Sequence, residues 1–202
     1  MMMWTVKAAA WGLLGIMVNL QATPGADHNN VQPAMTKELS MEFQDATAAE
    51  NWITVNDNVM GGRSTGDFSI ENDKLVFSGR TNTNGGGFSS IRSKPLAIKL
   101  KDSGSFRIRC KGDGRTYRFS VRTPARYASI QIAYYASFKT TKDEWIETTI
   151  PLESFYPSVR GMDVRHIAPA LRPENIESIG IMIYDKKDGP FQLEVDWIRS
   201  DV

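Results

Sequence analysis

Side chains able to act as nucleophiles or proton carriers are sparse in this chain. Its 202 residues include one cysteine, Cys110, and two histidines, His28 and His166. Zinc sites draw on clustered Cys and His, and this chain has no such donor set. A Ser-His-Asp arrangement would have to use His166, with Asp163 nearby, but no Gly-x-Ser-x-Gly elbow accompanies it. The Pro- and Arg-rich surroundings of His166 read instead as a solvated loop. Cys110 lies in Phe106-Arg107-Ile108-Arg109-Cys110-Lys111 and reads as a buried core thiol. Asn84-Gly85-Gly86-Gly87-Phe88 is glycine-rich, but a strand-like segment follows it. A phosphate cradle needs a helix N-terminus there, so the run reads as a hairpin turn. The sequence therefore points away from catalysis and implies no cofactor.

Binding chemistry is better represented. Arg107, Arg109 and Lys111 recur at every second position, and Arg118 and Arg122 follow four residues apart with the same outward parity on the next segment. If Gly112-Asp113-Gly114 closes a hairpin, these cations share one face of adjoining strands. Like charges set side by side repel, so such a face would receive an acidic partner or anionic head groups. The competing reading is a solvated edge balanced by carboxylates from another strand. A second group is aromatic: Tyr127, Tyr134, Tyr135, Phe138, Trp145, Phe155 and Tyr156. Exposed members, with Tyr134 and Trp145 as the candidates, could stack on sugars or anchor a protein interface. The alternative is that most of the group fills the core.

The elements positioning these residues read as strands. Phe106, Ile108 and Cys110 alternate with basic residues, and Tyr117, Phe119 and Val121 alternate with Arg118, Ser120 and Arg122. Ile179, Ile181 and Ile183 share one face, as do Phe191, Leu193, Val195 and Trp197. Period-two alternation marks strands with one face on a core. Glycine-bearing turns separate them, including Asp188-Gly189-Pro190, and no long helical period occurs; Leu152 to Tyr156 fits one helical turn. The expectation is an all-β fold, an antiparallel β-sandwich or jelly roll of some ten strands. Trp52-Ile53-Thr54-Val55-Asn56-Asp57-Asn58-Val59-Met60-Gly61-Gly62-Arg63-Ser64 ends a β-prone run in a turn crowded with Asn, Asp and Gly. It reads as a tight crossing between strands, with Asn56 and Asp57 satisfying backbone groups.

Composition agrees with one globular domain: 41% hydrophobic and 23% charged, with Lys+Arg 24 against Asp+Glu 23. So even a balance argues against a dedicated nucleic-acid binder. Lys7, the apolar run Ala8 to Leu20, and the small residues Ala22 and Ala26 match a secretory signal peptide. Residues 1–26 are thus expected to be a signal cleaved near Ala22 or Ala26, residues 27–37 a polar linker, and 38–202 the folded domain. The location implied is exported or periplasmic. The single cysteine leaves no internal disulfide.

Trp52, Asn56, Asp57, Met60, Gly61, Gly62 and Ser64, then Gly87, Phe88 and Arg92, then Gly112, Asp113, Gly114, Arg115 and Tyr117, follow in an order that resembles the complex I intermediate-associated protein family. Lys187-Asp188-Gly189-Pro190-Phe191 extends the likeness, which covers roughly residues 39 to 199. The resemblance implies a galactose-binding-like jelly roll and no catalysis. Mitochondrial members act as assembly chaperones for NADH:ubiquinone oxidoreductase. Two functions follow as expectations: an assembly or chaperone-like factor gripping a protein partner or membrane complex, or an exported carbohydrate-binding module taking a glycan. Jelly-roll modules often carry a structural calcium between first and last strands, and Glu42, Asp45 and Asp196 could supply its oxygens.

Overall fold

Alternating apolar and polar side chains can bury one face only by packing a sheet against a second sheet, and the computed structural model shows two. The folded unit is Ala34–Val202, of which residues 38–96, 100 and 104–201 are described. The expected signal and linker, residues 1–37, lie outside the described residues.

Thirteen strands are described: β1 Ser40–Glu42, β2 Trp52–Asn56, β3 Thr65–Glu71, β4 Lys74–Thr81, β5 Ser89–Ser93, β6 Ser105–Gly112, β7 Thr116–Tyr127, β8 Ile130–Lys139, β9 Trp145–Pro151, β10 Tyr156–Val159, β11 Met162–Asp163, β12 Ser178–Ile183 and β13 Gly189–Asp201. The first sheet runs β3-β4-β13-β6-β9, with β1 also on β13. The second runs β11-β10-β8-β7-β12-β5-β2. All strand pairs are antiparallel. Leu152–Ser154 forms the single helical turn expected near there.

The core lies between the sheets. Phe106, Ile108 and Cys110 of β6 face Tyr117, Phe119 and Val121 of β7 and Ile179, Ile181 and Ile183 of β12, all essentially inaccessible. Phe106 and Phe119, from opposite sheets, have ring centroids 4.9 Å apart. Burying one such side chain stabilises by about 1.5–3 kcal/mol.

Three local expectations are corrected by the pairing. Gly112-Asp113-Gly114 does not close a hairpin: β6 pairs with β13 and β9, whereas β7 pairs with β8 and β12. The turn carries the chain between sheets. The run Asn84 to Phe88 likewise joins β4 of the first sheet to β5 of the second. Trp197 does not continue the inward row of Phe191, Leu193 and Val195. The register of β13 on β6 shifts between Val195 and Trp197, and one extra residue reverses which side chains face inward. Ile198 is therefore fully buried, while Trp197 is covered by the guanidinium groups of Arg107 and Arg199.

Candidate functional site

Asp57 organises one end of the sandwich. It follows β2 in the turn Asp57–Met60, is fully buried, and its carboxylate accepts four hydrogen bonds. Ser64 N–H donates to Oδ1 at 2.9 Å, and Ser64 Oγ donates to Oδ2 at 2.6 Å. Gly87 and Phe88 N–H donate to Oδ2 at 2.6 and 3.2 Å. Burial pushes the Asp57 pKa up, but hydrogen bonds led by Ser64 Oγ overcome this and hold it below the usual carboxylate value. A Cβ at Gly62 or Gly86 would lie 2.2 or 2.3 Å from that carboxylate. Those glycines are therefore required for space. Gly61 instead has φ 85° with nothing near a would-be Cβ, and serves by its left-handed conformation. Asn56 completes the crossing: it donates to Gly66 O at 3.0 Å and accepts from Ser89 Oγ at 2.6 Å.

Arg115 fastens a second crossing at the same end, where Asn56, Ser89, Ile183 and Tyr117 lie in register. Its Nε and Nη2 bond both carboxylate oxygens of Asp185 at 2.9 and 2.5 Å. It also donates to Lys187 O, Pro190 O and Thr81 Oγ1 at 2.7, 3.0 and 3.0 Å. The Asp185 hydrogen bond raises the Arg115 pKa; burial pushes Asp185 up, and the Arg115 contacts hold it down. Asp113 accepts from Arg115 and Gln192 N–H, and Gly114 takes φ 85°. Gly112 has no room for a Cβ beside Thr140, and Tyr117 and Trp52 are core residues. These positions serve the architecture.

The basic residues expected to share one face are divided between opposite outer faces. Arg107, Arg109 and Lys111 lie on the first sheet and are neutralised there, by Glu147 at 3.2 Å, by Asp196, and by Glu194 at 2.9 Å respectively. Trp145 sits among them, its ring within 5.1–5.6 Å of the Lys74, Arg109 and Lys111 cations. This face matches the balanced-edge reading. Tyr134 is also corrected: it is buried, and its hydroxyl donates to Pro169 O at 2.8 Å. Its neighbour Tyr135 is the outward residue, since adjacent strand residues point to opposite faces. The calcium candidates are otherwise engaged: Glu42 with Arg199, Asp45 with Thr47 N–H, and Asp196 with Arg109 and Lys74. Among the described residues, no three His, Cys, Asp or Glu side chains gather closely enough for a metal ion.

Arg118 and Arg122 lie on the outer face of the second sheet and line a groove of about 230 Å³ with Arg92, Tyr135, Met182 and Tyr184. None of the ion pairs among the described residues includes Arg92, Arg118 or Arg122. Arg118 lies 4.7 Å from the Tyr184 ring centroid and 6.0 Å from those of Tyr135 and Tyr156. Burial, then repulsion from Arg122, lowers the Arg92 pKa to about 10. Burial lowers that of Arg122, whose Nε is enclosed without a hydrogen-bond partner. Met60, 56% exposed, stands at one end of the groove, and Arg160 and Gly161 at the other. Arg92 enters the site from the motif set and Tyr184 without any sequence cue; Tyr135 was recoverable from the inward parity of Ile132, Ala136 and Phe138.

The two-sheet antiparallel sandwich is also the architecture of solved carbohydrate-binding modules. Two solved structures share it, a family 11 carbohydrate-binding module of a Clostridium thermocellum cellulosomal cellulase and the Clostridium thermocellum family 11 module in complex with a β-1,3-1,4-mixed-linked tetrasaccharide. The first has TM-score 0.60 at 15% identity over 83% of this chain and 96% of that one. The second has TM-score 0.56 at 16% identity over 80% and 94%. At such identities the likeness is one of fold.

The chain belongs to the complex I intermediate-associated protein 30 family, whose model matches residues 41–195. It is 26% identical over 196 residues to the Mus musculus mitochondrial complex I intermediate-associated protein 30, covering 86% of this chain and 60% of that one. A Caenorhabditis elegans protein named as its probable mitochondrial counterpart is 27% identical over 114 residues, covering 54% of this chain and 32% of that one. The chain thus spans about 60% of the mouse relative's length. These relatives overturn the exported or periplasmic location expected from the apolar leader, because they are named as mitochondrial proteins.

Proposed function

We propose that this protein is a non-catalytic assembly factor that holds a component of NADH:ubiquinone oxidoreductase through the outer face of its second sheet. The observation carrying the reading is the family match over residues 41–195. The relatives' names supply its compartment, the mitochondrion. The groove supplies the surface: its cations have no carboxylate partners among the described residues, unlike those of the opposite face.

The glycan reading is favoured by one feature, the Tyr135, Tyr156 and Tyr184 rings on this face. Sugar stacking needs a free ring face, and Arg118 lies over all three rings. The protein-partner reading is therefore preferred.

The test is co-purification of the tagged, full-length protein from membranes of its native host, with native-gel analysis of cells lacking it. Enrichment of NADH:ubiquinone oxidoreductase subunits and loss of the assembled complex are expected. Recovery of no such subunit, together with normal assembly in the deletion strain, refutes the proposal.

A further inference from the structure

The two outer faces of the sandwich treat positive charge in opposite ways. On the first sheet Lys74, Arg107, Arg109, Lys111 and Arg199 each lie beside a carboxylate. On the second, Arg92 and Arg122 are half-buried and close enough to repel one another. Pairing places Arg92 and Ser120 on either side of Gly180, and Arg122 next to Ser178 two residues along β12. The floor between the arginines thus carries no side chain at Gly180. Glu177, whose N–H bonds Arg122 O, gives its carboxylate to Gln131 at 3.2 Å. Half-buried cations with no counter-charge beside them reduce stability, and none pairs with Arg92 or Arg122 among the described residues, so this pair calls for a bound anion.

Groove dimensions and lining narrow the anion's source. At about 230 Å³ the groove is smaller than the roughly 300–1,000 Å³ of enclosed small-molecule pockets. It suits side chains presented by something lying across the sheet. The strand order β10-β8-β7-β12-β5-β2 spans five spacings of about 4.8 Å, about 24 Å in all. An extended chain covers that span in about seven residues at roughly 3.3 Å each. Apolar side chains flank the arginines: Met60 and Val55 toward the β2 end, Ile130 and Met182 elsewhere in the lining.

We propose that the groove binds an extended acidic segment of a protein partner, seating an Asp or Glu carboxylate between Arg92 and Arg122 with apolar neighbours against Met60 and Met182. This rests on the protein-partner reading above and names the chemistry of that partner. The planar guanidinium is suited to such a role because it accepts a carboxylate through paired N–H donors. Arg118, held over its tyrosines, adds positive potential beside the seat.

The test uses full-length protein and an acetylated, amidated octapeptide of alternating Leu and Asp, with a Leu/Asn peptide as control, read by titration calorimetry. The Asp peptide is expected to bind at least tenfold more tightly than the Asn peptide. Arg92→Gln and Arg122→Gln should each weaken it at least fivefold, and Arg109→Gln, on the opposite face, should leave it unchanged. Melting temperatures of the two groove variants should equal or exceed that of the wild type. Equal binding of the two peptides, equal loss in Arg109→Gln, or lowered melting temperatures overturn the proposal. So does binding of a mixed-linked β-glucan tetrasaccharide or a glucuronate oligosaccharide in place of the peptide. Repeating the co-purification with Arg92→Gln/Arg122→Gln separates the two readings. If the double variant still retains the respiratory subunits, the carboxylate seat is wrong and the assembly role stands. Peptide binding with no subunit recovery and normal assembly in the deletion strain leaves the seat standing and refutes the assembly role.

Discussion

Replacing Asp57 by Asn changes one atom in the most heavily used carboxylate of the crossing. Three donors converge on Oδ2 and one on Oδ1. Placing the amide oxygen at the Oδ2 position keeps three bonds but sets the NH₂ against Ser64 N–H. A hydrogen bond to a charged group contributes about 1.5–3 kcal/mol against about 0.5–1.5 for a neutral one, so neutralising three bonds removes about 3 kcal/mol. The opposed donors bring the total loss to about 4 kcal/mol. For a domain of this size that is a fall in Tm of roughly 8–16 °C. The sign with pH is also fixed. The folded-state pKa is lowered, below an unfolded value of about 3.9. Stability from ionised Asp57 is therefore complete above the unfolded value and lost as pH falls through the folded one. Urea unfolding of both proteins from pH 7 to pH 2 should show a gap that is widest at neutral pH and closes in acid. A loss below about 1 kcal/mol at pH 7, or a gap that does not narrow in acid, would refute the hub role of Asp57.

Three further outcomes are expected. Gly62→Ala should cost about 2 kcal/mol or more through overlap with the Asp57 carboxylate, whereas Gly61→Ala should cost about 1 kcal/mol by backbone conformation alone; denaturant midpoints in the reverse order would contradict the packing argument. Arg115→Met should lower stability by about 3 kcal/mol, since it strands the half-buried Asp185 carboxylate, and adding Asp185→Asn should restore part of it; a double variant no better than the single removes the case for the pair. Burial pushes the Cys110 pKa up to about 12, so a thiol reagent at pH 8 should label Cys110 only after denaturant is added; rapid labelling of the native protein would show the core to be more open than described.

Much of the fold was legible because inward rows of Phe, Ile and Val recur at period two, and burial of one face per strand is a local property. The Asn-Asp and Gly-Gly run was readable as a crossing for the same reason: its backbone demands are met within a few residues. Its hub was half visible. Ser64 lies in the same motif, but Gly87 and Phe88 reach Asp57 from a segment thirty residues on. Trp197 and Tyr134 were misplaced by parity. One bulge reverses facing in β13, and Tyr134 shares the inward row of Ile132 and Ala136 while its neighbour Tyr135 faces outward.

The sequence by itself determined that this is an all-β sandwich and, through its ordered motifs, which family it belongs to. Only the tertiary structure decided where the charges go. Arg107 to Lys111 and Arg118 to Arg122 are close in sequence and indistinguishable in pattern, yet the first set faces Glu147, Asp196 and Glu194 and the second faces no carboxylate in an ion pair among the described residues. Strand partners chosen across more than eighty residues, not spacing along the chain, bring Glu194 and Asp196 to β6. A counter-charge is a property of the neighbouring strand, and pairing between distant strands is fixed by packing of the whole core.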